Sequence, residues 1–95
     1  MTKKYTIILS SRVEQMLLRH VEFLARVSIN AARRLRNEYA ATVQRLEENP
    51  YQFPAEEDPN LPQGIYRRAV FAKRYKAIFK IVGSTVYLDA IVDCR

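Results

Sequence analysis

Cysteine, histidine and glycine are scarce in this chain of 95 residues, which contains one Cys, one His and two Gly. The single cysteine, Cys94, has no partner for a disulfide within the chain. One thiol and one histidine also fall short of the ligand set of a zinc site. Two isolated glycines do not make a phosphate-binding loop or a dinucleotide-binding turn. These shortages predict a protein without a metal or a nucleotide cofactor.

Long apolar runs are missing as well. A membrane helix needs about 18 or more consecutive apolar residues, and no window of the sequence provides them. The apolar segment Tyr5 to Leu9 is too short for the hydrophobic part of a signal peptide. With 48% hydrophobic and 27% charged residues, the composition predicts one domain over residues 1–95, located in the cytoplasm and without a membrane partner.

Acidic residues are in the minority, since 16 Lys and Arg face 10 Asp and Glu and give a net charge of +6. The basic residues are densest between Tyr66 and Lys80, a segment without any acid: Arg67, Arg68, Lys73, Arg74, Lys76 and Lys80. Tyrosines and phenylalanines alternate with them. Such a surface suits RNA, because cations neutralise phosphates while rings stack on unpaired bases. An acidic protein partner and a passive soluble face are the alternatives.

Hydrophobic periodicity predicts the elements. A strand over Tyr5 to Leu9 precedes a helix that starts with a capping box, Ser11 to Glu14. A second helix, capped by Ser28 or Asn30, ends before Pro50. The segment from Asn49 to Gly64 is predicted to be a loop pinned by Tyr51, Phe53 and Leu61. Three strands follow, over Ile65 to Ala72, Tyr75 to Val82 and Thr85 to Asp93, the last two joined by a type II′ turn at Gly83-Ser84.

The order βααβββ predicts an α+β fold of two layers, in which an antiparallel helical hairpin packs on a four-stranded, mainly antiparallel sheet. On the last strand, Val86, Leu88, Ala90 and Val92 share one face. The predicted core contains Met16, Leu17, Leu24, Leu35, Val43, Phe79, Leu88 and Ala90. His20 is expected at the surface or its boundary without a catalytic role. The acids Glu47-Glu48 and Glu56-Glu57-Asp58 are expected to be solvated.

Six segments spread over nearly the whole chain carry a resemblance to a known family. They are Tyr5–Ser10, Phe23–Leu35, Leu46–Pro50, Gly64–Arg67, Lys73–Phe79 and Val86–Arg95. In order and spacing they resemble toxins of the RelE/ParE superfamily, from type II toxin–antitoxin modules of the kind that serve plasmid stabilisation. The resemblance implies an antitoxin protein as partner, no small-molecule ligand, and a monomer or weak homodimer when the antitoxin is absent.

The superfamily divides by target. RelE-like and YoeB-like members cut messenger RNA in the ribosome, whereas ParE-like members inhibit DNA gyrase by binding it. The basic strands and the ending Cys94-Arg95 are similar to the RNases, and the long helices are similar to the ParE group. We expect a ribosome-dependent endoribonuclease that acts on mRNA. A gyrase inhibitor, or a degenerate member that binds only antitoxin or RNA, is the alternative.

The resemblance also implies site residues. In the RNases, the arginine of a Tyr-Arg-x-x-Tyr motif contacts the scissile phosphate, and here the motif is Tyr75-Lys76-Ala77-Ile78-Phe79. Lysine keeps the charge but lacks the bidentate fork of arginine. The predicted catalytic residues are Arg67, Lys76 and Arg95 as cations, in one groove, and Tyr75. Proton transfer would fall to Tyr66, Tyr75, Lys73 or a loop carboxylate, so phosphate binding is better supported than catalysis.

Overall fold

The computed structural model describes residues 4–93, so Cys94 and Arg95, and the roles predicted for them, lie outside the described residues. The elements are β1 (Thr6–Leu9), α1 (Ser11–Val27), α2 (Ile29–Glu48), β2 (Tyr66–Phe71), β3 (Tyr75–Val82) and β4 (Thr85–Asp93), with a short 3₁₀ helix at Pro50–Gln52. Neither α1 nor α2 carries an apolar stretch of the length that crosses a bilayer.

The four strands form one mixed sheet in the order β1-β4-β3-β2. The β2–β3 and β3–β4 pairs are antiparallel, whereas β1 pairs with β4 in parallel. Between β3 and β4 the chain turns at Gly83, whose φ of +62° suits the first position of a type II′ turn. The α+β fold with a mainly antiparallel sheet is therefore confirmed.

Serine side chains begin both helices. The Oγ of Ser10 accepts from the backbone N–H of Val13 at 3.3 Å, and Ser10 itself is extended at the end of β1. The predicted capping box at Ser11 is therefore wrong by one residue, because Ser11 already belongs to the first turn and Glu14 lies beyond the reciprocal position. Ser28 ends α1 and caps α2, accepting from the N–H of Ala31 at 3.2 Å. A connection of one residue folds the two helices back on each other.

The core lies between the helical hairpin and one face of the sheet. Three of the predicted core residues, Leu35, Phe79 and Leu88, are 1% exposed or less. Met16, Leu17 and Leu24 pack against this core but stay partly exposed. Val43 is half-buried, because α2 turns Thr42 inward instead, with its hydroxyl donating to the Glu38 carbonyl at 2.8 Å. Hydrophobic periodicity predicts the apolar Val43, and not the polar Thr42, as the buried residue at this turn of α2.

A β-bulge changes the face of β4 halfway along the strand. Phe79 pairs with Leu88 but Ile78 pairs with Ala90, so Asp89 is an extra residue in the ladder. Val86, Leu88 and then Ile91 face the helices, each 1% exposed or less. Ala90 lies on the opposite face, and its predicted place in the core is wrong. One extra residue is enough to move every following side chain of the strand to the opposite face, since side chains alternate with a period of two.

The segment between α2 and β2 is anchored at its middle. Phe53 is buried in the core, Leu61 is half-buried, and Tyr51 is 53% exposed, so the expected burial of Tyr51 is wrong. Ala55 forms a bridge with Arg67 at the start of β2. On either side of this bridge, the N–H of Glu56 donates to the Tyr66 carbonyl at 2.9 Å and that of Arg68 to the Pro54 carbonyl at 3.0 Å. These bonds fix the backbone of residues 54–56 along the sheet edge.

Candidate functional site

The face of the sheet that is turned away from the helices carries three of the six predicted basic residues, Arg68, Lys76 and Lys80. Because paired residues of neighbouring strands point to the same side, the buried positions of β3 assign the faces of β2 and β4. We call this side the outer face; its residues are Tyr66, Arg68, Val70, Lys76, Ile78, Lys80, Tyr87, Ala90 and Val92.

Two cations of the outer face meet one buried carboxylate. The Nζ of Lys76 lies 2.5 Å from Oε2 of Glu56, and Nη1 of Arg68 lies 3.6 Å from Oε1. Arg68 also donates to the Ala55 carbonyl, and Oε1 of Glu56 accepts from the N–H of Glu57 at 2.9 Å. We call Glu56, Arg68 and Lys76 the Glu56 cluster. Its net charge is +1, so the carboxylate compensates only part of the positive charge.

Glu56 is 7% exposed, and its expected solvation is wrong. Burial, the strongest single influence, raises the pKa of Glu56, but it is outweighed by the hydrogen bonds from Lys76 and the Glu57 amide and by the charges of Lys76 and Arg68. The net result is a pKa below the ordinary value of 4.5. Glu56 is therefore an ionised partner of Lys76 at neutral pH.

Lys80 lies between two tyrosines on the same face. Its Nζ is 6.0 Å from the ring centre of Tyr66 on β2 and 5.8 Å from that of Tyr87 on β4, so each contact is at the long end of the cation–π range. The three residues form a row across the three strands, since Lys80 pairs with both tyrosines in register. This row presents one cation and two aromatic rings.

Arg74 and Lys73 lie in the turn between β2 and β3. Arg74 binds Asp93 with two bonds, from Nε to Oδ1 at 3.2 Å and from Nη2 to Oδ2 at 2.7 Å. The hydrogen bond to Asp93 is the main reason that the pKa of Arg74 is raised. Lys73 is exposed. Arg74 is thus already paired within the chain, whereas Lys73 extends into solvent.

The structure separates the predicted catalytic residues. Arg67 pairs with Phe79 and so lies on the helix side of the sheet, where it donates to the Phe53 carbonyl at 2.6 Å and covers the ring of Tyr51 at 5.1 Å. Tyr75 is also on the helix side, 2% exposed, with its ring 5.0 Å from that of His20. Lys76 is on the outer face. The groove expected to hold Arg67 and Lys76 together is therefore not formed, because the strand pairing places the two side chains on opposite faces of the sheet.

A pocket of about 430 Å³ opens beside the Glu56 cluster. It is lined by apolar residues and by polar residues of both charge signs: Ser10, Arg12, Glu56, Asp58, Leu61, Tyr66, Lys76, Ile78, Asp89, Ala90 and Val92. Within residues 4–93 no group of three His, Cys, Asp or Glu side chains is placed to hold a metal ion. The pocket can take a small polar group, oriented by charged side chains.

Four charged residues of the pocket were not assigned to a site from the sequence: Arg12, Glu56, Asp58 and Asp89. Nothing in the chain marks the bulge that turns Asp89, and Arg12 belongs to the exposed side of α1. Glu56 carried a usable signal. It follows Phe53, which needs burial, at a distance of three residues, so an anchored phenylalanine places the carboxylate close to the sheet as well.

Comparison with known proteins gives a result at the level of the fold. No known family profile and no curated protein matches the sequence. Among solved structures, the chain is similar to one described as the chromosomal ParDE TA system from P. aeruginosa, with a TM-score of 0.75 and 12% sequence identity over 99% of this chain and all of that chain. The likeness at this identity rests on architecture alone. The resemblance seen in the sequence is thereby supported at the level of the fold, which this chain shares with the chain of that ParDE structure.

Proposed function

We propose that this protein is the toxin of a type II toxin–antitoxin module and that it acts by binding a protein target, not by cutting RNA. Its neutralising partner is an antitoxin protein, and DNA gyrase is the target that the ParE-like branch of the resemblance supplies. The fold shared with a ParDE system supports the first part. The arrangement of the predicted catalytic residues supports the second.

The observation that carries the proposal is the pairing of Lys76 with Glu56. Cleavage through the 2′-hydroxyl needs a base, cations at the phosphate and an acid at the leaving oxygen, all within hydrogen-bond reach of one phosphodiester. Lys76 is 2.5 Å from a carboxylate of its own chain. Arg67 and Tyr75 lie on the opposite side of the sheet. Within residues 4–93, these groups do not converge on one substrate atom.

Endoribonuclease activity is the second candidate, favoured by the pocket beside the Glu56 cluster. The pocket brings together the ammonium of Lys76, the carboxylate of Glu56 and the phenol of Tyr66. These are a cation, a base and an acid of the kinds that RNA cleavage uses. The lowered pKa of Glu56 makes it a weak base, so this candidate ranks second.

The test is induction of the gene without its antitoxin, with growth, transcript ends and plasmid supercoiling scored together. Protein binding predicts growth inhibition with a loss of gyrase supercoiling and no new transcript ends. Ribosome-dependent cleavage predicts ends placed in register with codons. Unchanged growth on induction of the folded protein would contradict both candidates.

Variants of the site separate the two candidates further. A toxin that binds a protein keeps its growth inhibition in Arg67→Ala/Lys76→Ala, whereas an RNase loses it. Lys4→Ala, which removes an exposed cation outside the predicted site, is the control. Thermal unfolding of each variant distinguishes loss of activity from loss of the fold.

A further inference from the structure

We propose that the tip of the helical hairpin is the surface by which this protein docks on its protein target, and that the target presents acidic groups around an apolar depression. We call Phe23, Val27 and Ile29, together with Arg19 and Arg26, the hairpin tip. The inference rests on the proposed function, since it names the surface through which a toxin that binds a protein acts. Exposed apolar side chains, a fixed backbone and the kind of cation carry it.

Apolar side chains at the hairpin tip are exposed to an unusual degree. Val27 is 76% and Ile29 is 62% exposed, the largest fractions among the large apolar residues that the structure describes, and Phe23 is 52% exposed. Phe23 and Val27 are four residues apart on α1 and therefore lie on the same side of that helix. Val27 ends α1 and Ile29 begins α2. Three apolar side chains thus lie at one end of the hairpin in contact with water, as in surfaces that bind a partner.

The backbone of the hairpin tip is fixed by hydrogen bonds. Ser28 is the only residue between the two helices; its N–H donates to the Leu24 carbonyl at 2.7 Å, and its Oγ accepts from the N–H of Ala31 at 3.2 Å. The Ser28 carbonyl also accepts from the N–H of Ala32 at 3.2 Å. A preorganised backbone loses little conformational entropy on binding, so contacts made by the exposed side chains contribute to affinity.

Charge complementarity gives the sign of the partner surface. Residues 19–36 contain five arginines and one acid, Glu22. On α1, a hollow of about 150 Å³ is lined by Arg19, Glu22, Phe23 and Arg26, so two guanidinium groups and one carboxylate surround an aromatic ring. Within residues 4–93, neither Arg19 nor Arg26 is in an ion pair. Because the fork of a guanidinium binds a carboxylate with two parallel bonds, the hollow fits an Asp or Glu side chain of the partner.

The kind of cation favours a protein over a lipid surface or a nucleic acid. The helices α1 and α2 carry seven arginines and no lysine. Arginine is enriched and lysine is depleted in protein–protein interfaces, whereas an anionic membrane or a phosphate backbone attracts both. Arginine and aromatic residues also dominate the positions that contribute most to binding in such interfaces. Phe23 between two arginines is therefore typical of a protein contact.

The experiment measures inhibition of purified DNA gyrase by variants of the hairpin tip. Phe23→Gln/Val27→Gln/Ile29→Gln removes the apolar surface and introduces a good helix former. The concentration that halves supercoiling should rise about tenfold or more, because central contacts are lost. Leu18→Gln is the matched control, since Leu18 is 58% exposed on the same helix but lies nine positions from Val27, on the opposite side. Its value should stay within about twofold of the unchanged protein.

A second variant tests the guanidinium groups. Arg19→Lys/Arg26→Lys keeps both charges but loses the planar forks, so the concentration that halves supercoiling should rise about threefold or more. Full inhibition by this variant would overturn the carboxylate contacts. Thermal unfolding shows whether each variant is folded. If the triple variant is not, Val27→Gln alone should raise the concentration about threefold, and an unchanged value in that folded variant contradicts the hairpin tip.

Growth after induction without antitoxin separates failure of this inference from failure of the proposed function. A folded triple variant that inhibits gyrase and growth as well as the unchanged protein contradicts the hairpin tip and leaves the proposed function intact. If the unchanged protein stops growth without inhibiting gyrase, the target is another protein, and growth restored by the triple variant but not by Leu18→Gln supports the hairpin tip. An unchanged protein that does neither contradicts both.

Vesicles of phosphatidylglycerol and phosphatidylcholine test the choice of partner. We expect no co-sedimentation of the unchanged protein with them at physiological salt. Co-sedimentation that is lost in Phe23→Gln/Val27→Gln/Ile29→Gln would overturn the proposal, because the apolar side chains would then insert into a lipid surface.

Discussion

At the scale of single residues, the turn between β2 and β3 has an unusual backbone. Ala72 and Lys73 have φ values of 51° and 70°, in the left-handed region that favours glycine. The N–H of Ala72 donates to Oε1 of Glu38 at 2.9 Å, which ties the turn to α2. A hydrogen bond between distant elements thus helps to hold a conformation that alanine adopts at a cost.

Replacing Ala72 with glycine should therefore stabilise the fold. The relief of left-handed strain exceeds the extra entropy of glycine in the unfolded chain, and the net gain is about 0.5–1 kcal/mol. Urea unfolding measures it. Ala40→Gly, at an exposed position inside α2, is the control and should cost about 1 kcal/mol. A loss of stability in Ala72→Gly would contradict the strain.

The buried carboxylate of Glu56 makes stability depend on pH. Its pKa is lower in the folded chain than the ordinary value of 4.5, so folding favours the ionised form. The stabilisation is fully present above pH 4.5 and is lost as the pH falls through the lower pKa of the folded state. Unfolding free energies measured from pH 6 down to pH 2 should show a smaller acid loss in Glu56→Gln than in Glu57→Gln. Equal losses of stability in acid in the two variants would contradict the role of Glu56 in this pH dependence.

At the scale of elements, periodicity predicted the order of helices and strands and the bounds of β3 and β4, because both strands alternate strongly and Gly83 marks the turn. It did not predict the bulge at Asp89, since no glycine or proline signals the extra residue. For the site, the cluster of cations was visible in the sequence. Their partners, Glu56 and Asp93, were not, because each lies more than ten residues away along the chain.

The two helices of the hairpin are buried to different extents, and truncating one leucine on each helix should show the difference. Leu35 of α2 is 1% exposed, whereas Leu24, near the end of α1, packs at the edge of the core. Leu35→Ala should lower the free energy of unfolding by about 2–5 kcal/mol, because buried apolar atoms are removed and a cavity is left behind. Leu24→Ala should cost about half as much, because its surroundings already contact water. Chemical unfolding of both variants measures the ratio, and equal costs would mean that the end of α1 is as well packed as the middle of α2.

At the scale of the whole molecule, the positive charge is distributed differently from what the sequence indicates. In the sheet, Arg74 is paired with Asp93, and Arg68 and Lys76 share Glu56. On α1, the exposed residues Arg12, Arg19 and Arg26 follow at intervals of seven, close to two helical turns, and so form a row with steps of about 10 Å. Within residues 4–93, neither Arg19 nor Arg26 is in an ion pair. Among the described residues, cations without an ion pair thus lie on the helical hairpin as well as on the sheet side, where Lys73 and Lys80 are examples.

This distribution determines how the protein responds to salt when it binds a polyanion. Each unpaired cation that contacts a single strand contributes about 0.7 to the slope of log affinity against log salt concentration, because a counterion is released. Arg19→Ala/Arg26→Ala should therefore lower the slope for a poly-uridine strand by about 1.4. Arg74→Ala should leave it nearly unchanged, since an arginine that is already bound to Asp93 does not contact the strand and so releases no counterion. Fluorescence anisotropy between 50 and 200 mM salt gives both slopes. A larger change in Arg74→Ala than in the helix variant would locate the polyanion on the sheet, where the sequence alone had placed it.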